Sequence, residues 1–193
     1  MIAHGGHDLD TLDGKLLIAM PGIGDARFEK AVVFMCAHSS DGAMGLIINK
    51  PMAGLKSKEL LKQLDIVVEA SQPSIEVHFG GPVEHGRGFV LHSPDYNIGD
   101  STMNICDTFG MTATIEVLRD LAQGTGPAES LLALGYAGWG PGQLEEEIQA
   151  NGWLICDASF KLVFSDLEDD KWDAALATMG VDPRLLSAEG GMA

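Results

Sequence analysis

Few side chains in this 193-residue chain stand at spacings that could do chemistry. Cys36 and His38 lie two apart in an apolar run, so a strand would turn both to one face. A thiol–imidazole dyad would pair a nucleophile with its base, but it needs an electropositive, accessible setting. Cys36 instead follows Val32-Val33-Phe34-Met35, surroundings that suit a buried thiol acting as a small hydrophobe. His78, His85 and His92 recur at intervals of seven, and a hairpin could bring His78 beside His92. No HExxH motif or Cys/His cluster accompanies them, so the sequence predicts no metal site and no cofactor. A Gly-x-Ser-x-Gly elbow is missing. Gly22-Ile23-Gly24 lacks the third glycine of a dinucleotide fingerprint. No catalytic residue is assigned.

Three Gly-rich blocks carry more information: Gly42 to Pro51, His78 to Val83, and Gly135 to Glu145. Each joins an apolar run to a Gly/Pro cluster, where the backbone turns sharply or approaches something closely. The third block opens a helix, and helix N-termini attract phosphates. Glu145, Glu146 and Glu147 already complement that dipole and would repel another anion, which favours a structural turn. His38, Asn49, Gly80, Gly81, Arg87, Trp139 and Gln143 lie in or beside the blocks and form a candidate binding surface. The competing reading is that Asn49 and Gln143 hydrogen-bond turn backbones, and residue type leaves both open.

The elements that must position these residues follow from periodicity. Strands are expected at Leu16 to Met20, Ala31 to Ala37, Gly45 to Asn49, Ile75 to Phe79, Gly88 to His92, Thr102 to Cys106, Leu131 to Tyr136, Trp153 to Cys156 and Leu162 to Phe164. The second and third should pair as a hairpin ended by Pro51, and the fourth and fifth as another with Pro82 to Gly86 at its tip. Helices are expected after Ser57, from about Thr112 to Gln123, from Pro141 to Asn151, and after the capping-box spacing Ser165-Asp166-Leu167-Glu168. About nine short, mostly antiparallel strands and about four helices predict an α+β domain with a mixed sheet or partial barrel. A single domain is expected over 14–183, with tails at 1–13 and 184–193 that lack a core pattern.

Composition narrows the function classes. The net charge is −16, and from Pro141 onward eleven acidic residues face three basic ones. Such a field repels phosphate backbones and anionic membranes, so direct nucleic-acid binding is disfavoured. The longest apolar run, Ala31 to Ala37, is far too short to span a bilayer. Three scattered cysteines without CxxC spacing suit a reducing, cytoplasmic setting.

From Gly14 to about Gly180 the chain resembles the YqgE/AlgH family of bacterial proteins. The resemblance rests on Leu16 to Pro21, Asp25, Phe28, Val32-Val33, His38, Gly42 to Pro51, Gly80 to Val83, Gly88 to His92 and Gly135 to Glu145. Ala26 stands where proline is common in that family, and Lys30 where arginine is common. If that arginine were an anion clamp, lysine would keep the charge and lose the bidentate fork. The resemblance implies a compact α/β domain and a regulatory role, without established catalytic residues. The expected function is a non-enzymatic interaction or regulatory protein acting through a protein partner or small effector. The alternative is an enzyme or small-molecule-binding domain with a pocket between the Gly-rich blocks.

Overall fold

In the computed structural model, which describes residues 11–69, 76–165 and 170–186, the chain begins with strands Lys15–Ala19 (β1), Val32–Ser39 (β2), Gly42–Ile47 (β3) and Pro51–Lys56 (β4). Helix Ser57–Gln63 (α1) leads to Glu76–Phe79 (β5), Val83–His92 (β6), Thr102–Cys106 (β7) and Phe109–Thr112 (β8). Helix Ile115–Gln123 (α2), strand Ser130–Trp139 (β9), helix Gln143–Gln149 (α3) and strand Trp153–Asp157 (β10) follow. Helices Phe160–Phe164 (α4) and Lys171–Thr178 (α5) complete the described chain.

Alternation in β2 sets the layering. Val32, Phe34 and Cys36 enter one apolar cluster, while Val33 and Met35 enter another on the opposite face. The first cluster reaches from Cys156 in β10 to Phe109 and Met111 in β8, with α4 and α5 closing over it. One cluster can touch strands that far apart in the sheet if the sheet curls round it. The second gathers Leu17, Met35, Trp139, Leu144 and Trp153 beneath α3. A third gathers Val77, Val90 and Leu132 beneath α1 and α2.

The sheet runs β10-β1-β2-β3-β9-β6-β8-β7, with β5 and β4 branching from β9. It is a mixed α+β fold with a curled, largely antiparallel half-barrel, and β5 against β9 is parallel. The β2–β3 hairpin is as expected. The expected β5–β6 hairpin is not formed, because β9 lies between them. Leu132 pairs with Val77 on one side and Val90 on the other. The continuous apolar run of β9 suits a central strand buried on both faces. Glycines permit the crossing: a Cβ on Gly80 would sit 2.2 Å from the Gly135 oxygen, and one on Gly81 would sit 2.0 Å from the Tyr136 carbonyl carbon.

Other expectations need correction. Pro51 opens β4 instead of ending the pairing, at a first-strand position where its missing N–H is tolerated. Thr112 closes strand β8, so α2 starts later than periodicity suggested. Leu162 to Phe164 is helical, since the Ser159 hydroxyl accepts the Leu162 N–H at 3.1 Å and caps a turn that buries Leu162 and Val163. The fully buried Lys171 donates to the Val163 carbonyl at 2.9 Å and the Ile48 carbonyl at 3.2 Å, joining α5 to that turn. The expected capping box falls on 166–168, outside the described residues, as do Ile75 and most of both expected tails. Leu12, also expected in a tail, packs against the second cluster.

Candidate functional site

An open groove of roughly 580 Å³ lies where β2, β3, β9 and the start of β6 meet. Ala37, Met44 and Gly138 form one cross-strand row in its floor, and Val83 lies opposite Tyr136 beside them. Ser39, Asp41 and Gly42 of the hairpin form one rim, and Asp13 reaches in from the segment before β1. Irregular pairing brackets the groove. In β2 the register shifts between Met35 and Ala37. In β6 it shifts between Val83 and Gly88, so Glu84 to Arg87 bulge out of the β9 ladder, with the His85 backbone against Gly135. Bulges of this kind redirect side chains and end regular pairing.

The β2 bulge has a chemical consequence. Regular alternation would put Cys36 and His38 on one face, yet Cys36 packs in the first core cluster while His38 reaches toward α3 on the other side. His38 Nδ1 accepts the Leu12 N–H at 3.2 Å, so Nε2 carries the proton and donates to Glu145 Oε1 at 2.6 Å. That hydrogen bond is the main cause holding the Glu145 carboxyl below its usual range. Burial pushes the Cys36 thiol up to about 12, with the Asp13 carboxylate adding to the effect. The thiol and imidazole therefore form no dyad.

The expected binding residues divide between groove and scaffold. His38 and Trp139 border the groove, but alternation sends their side chains to the opposite face, where Trp139 meets Trp153 edge-on at 5.9 Å. Asn49 ties two segments together: its Oδ1 accepts the Val32 N–H and its Nδ2 donates to the Lys30 carbonyl, each at 2.8 Å. The Gln143 Oε1 accepts the Gly140 N–H at 3.0 Å within its own turn. Gly80 is buried and bridges two strands, its carbonyl accepting the Ile47 N–H and its N–H donating to Leu134. Gly81 is buried against Tyr136. Arg87 lies over the Phe89 ring at 5.1 Å and 3.6 Å from Glu84, on the bulged segment outside the groove. These seven residues do not converge on one concavity.

The histidines also separate. His78 Nδ1 donates to the Leu132 carbonyl at 3.3 Å, and His85 is exposed on the bulged segment. His92 is fully buried. Its Nδ1–H donates to the Ser93 carbonyl at 2.8 Å, leaving Nε2 to accept the Thr112 hydroxyl at 2.8 Å. Thr102 lies 2.9 Å from Thr112 and accepts the Ile98 N–H, so each polar group has a partner. Burial is the main cause lowering the His92 pKa, with the Ser93 bond and Asp95 opposing it. Among the described residues, no His/Cys/Asp/Glu group is arranged to hold a metal ion.

The family model described as AlgH-like matches residues 16–184. The chain belongs to the AlgH-like family. A UPF0301 protein of Jannaschia sp. is 56% identical over 188 residues, covering 97% of this chain and 96% of that protein. One of Cereibacter sphaeroides is 54% identical over 182 residues, covering 94% and 99%. The solution structure of the AlgH protein from Pseudomonas aeruginosa superposes with a TM-score of 0.78 at 41% identity, over 95% of this chain and 97% of that one. An X-ray structure from Corynebacterium diphtheriae shares the fold at 18% identity and a TM-score of 0.68, over 86% and 85%.

In this AlgH-like chain, Lys30 places its Nζ 5.5 Å from the centroid of the Trp172 ring. Stacking on an aromatic face is a task arginine shares. Asp13, Asp41, Met44, Val83 and Tyr136 went unnoticed as site residues, because two irregular pairings invisible to periodicity bring them together. Among the described residues, no helix is long and apolar enough to cross a membrane.

Proposed function

We propose that this AlgH-like protein is a non-enzymatic, cytoplasmic regulatory protein that works by docking a protein partner in the groove at the β2–β3 hairpin. The observation that carries this reading is the groove: an apolar floor of Ala37, Met44, Val83 and Tyr136 open to solvent beside a polar rim. Apolar area with polar edges is the anatomy of a recognition surface. The polar residues that would have equipped a pocket between the Gly-rich blocks are engaged in holding turns, which weakens the enzyme alternative. A net charge of −16 speaks against direct DNA binding. Buried Cys36 and Cys156 and the free thiol of Cys106 suit a reducing compartment.

The test is a photo-crosslinking amino acid placed in living cells at Ser39 or Val83, with exposed Arg119 on α2 as the control site. Discrete protein adducts at the two groove positions, missing from the control, are expected. An absence of adducts at the groove, or the same adducts at all three sites, refutes docking there.

A further inference from the structure

We propose that the groove's occupant is an extended protein segment in which lysine or arginine alternates with apolar residues. This rests on the docking reading above and adds the chemistry of the partner. Asp13 and Asp41 line the groove, while none of its lining residues is lysine or arginine. The nearest cation along β6, Arg87, is 3.6 Å from Glu84 and stacked on Phe89. The local field therefore selects a cation, and charge complementarity governs which partners are admitted.

The Asp13 carboxylate adds a second observation. Its Oδ1 is shielded from solvent and accepts no hydrogen bond. A carboxylate oxygen held without a donor adds to the negative potential of the groove, which an ammonium or guanidinium seated at the rim would offset. Asp41, on the exposed hairpin turn, offers a second carboxylate, its backbone N–H held by Ser39 Oγ at 3.1 Å.

Between the carboxylates the floor is apolar and adaptable. Met44 supplies a flexible thioether and Tyr136 an aromatic face, and Val83 is 36% exposed. Gly138 leaves the Tyr136 ring uncovered; a Cβ there would lie 3.3 Å from the ring. An open trough of roughly 580 Å³ is too broad for one amine to fill. An extended chain, sending alternate side chains to opposite faces, meets such a surface with cationic tips toward the rim and apolar side chains toward the floor.

The test uses the full chain labelled with ¹⁵N and three probes: acetyl-Lys-Leu-Lys-Val-Lys-amide, the same peptide with glutamate for lysine, and spermidine. The lysine peptide should shift the amides of Ala37, Ser39, Asp41, Met44, Val83 and Gly138, saturably and less strongly as salt rises. Asp13→Asn or Asp41→Asn should each weaken it about fivefold. Asp173→Asn, at an exposed position of α5, should leave it unchanged. The acidic peptide should give no shifts, and spermidine far weaker ones because it lacks apolar side chains. Asp41 lies on an exposed turn, so its variant keeps the test valid should Asp13→Asn fail to fold. Shifts centred away from the groove overturn the proposal, as does equal weakening by Asp173→Asn, which would mark a diffuse charge effect. Spermidine matching the peptide replaces the segment with a free amine. Crosslinked partners at the groove combined with indifference to Asp13 and Asp41 would refute the basic chemistry while leaving the docking surface intact.

Discussion

Replacing His92 by glutamine should change how stability depends on pH, by an amount that follows from burial and tautomer. The imidazole is 0% exposed, donates through Nδ1 to Ser93 and accepts through Nε2 from Thr112. Protonating Nε2 would set an N–H against the hydroxyl hydrogen it now accepts, in a fully buried position. Burial lowers the pKa of this group in the native state, whereas in the unfolded chain it titrates near 6.5. Its contribution is therefore complete above about pH 6.5, and is lost as acidification protonates the unfolded chain while the native ring stays neutral. Between about pH 7.5 and 5.5 one proton taken up by the unfolded state alone costs about 1.4 kcal/mol. Glutamine cannot titrate, and its imperfect replacement of two buried hydrogen bonds should cost about 1–3 kcal/mol at the upper pH. Urea unfolding of both proteins across this range gives the comparison. The stability gap between wild type and His92→Gln should narrow on going from pH 7.5 to 5.5, by at most about 1.4 kcal/mol. A gap that stays constant would mean that the native ring accepts the proton freely, refuting the assigned tautomer and its enclosure.

Three further outcomes are expected. Gly81→Ala, which would drive a Cβ to 2.0 Å from the Tyr136 carbonyl carbon at φ +153°, should destabilise by about 3 kcal/mol or more, read as a lower Tm by calorimetry. In the native protein at mildly alkaline pH a thiol-specific disulfide reagent should titrate exposed Cys106 and spare Cys36 and Cys156, with all three reacting in denaturant. Phe34 and Phe109 meet edge-on at 4.8 Å, so a double-mutant cycle with leucine at each position should give about 0.5–1.5 kcal/mol of coupling in chemical denaturation.

Much of the fold is legible in the sequence because local rules and burial agree there. Val32 to Cys36 alternates between two cores, and Gly124, at φ +76°, ends α2 as a C-terminal glycine should. Local rules mislead where a distant segment decides. Leu162 to Phe164 has strand composition, but one serine cap makes it a helix. The β5 and β6 strands are neighbours in sequence, yet β9 enters between them and pairs with both. The groove is the least legible feature. Residue type singled out Asn49, Gln143, Gly80 and Gly81, whose role is to shape backbone, because the same chemistry that suits a ligand also suits a turn. Asp13 and Asp41 lie in segments that resemble a tail and an ordinary turn, and they become neighbours of one concavity through bulges that leave no periodic trace.

The place of β9 also bears on how the chain is made. It pairs with β3, β5 and β6, all of which precede it. During synthesis those strands emerge first and wait, with unsatisfied backbone edges, from roughly 40 residues for β6 to roughly 80 for β3, until their shared partner leaves the ribosome. Closing such distant pairings is slow, and waiting edges can recruit other chains. A newborn chain of this protein thus passes through a vulnerable interval that ends when residues 130–139 arrive, and stalled or shortened products are its natural aggregation hazard.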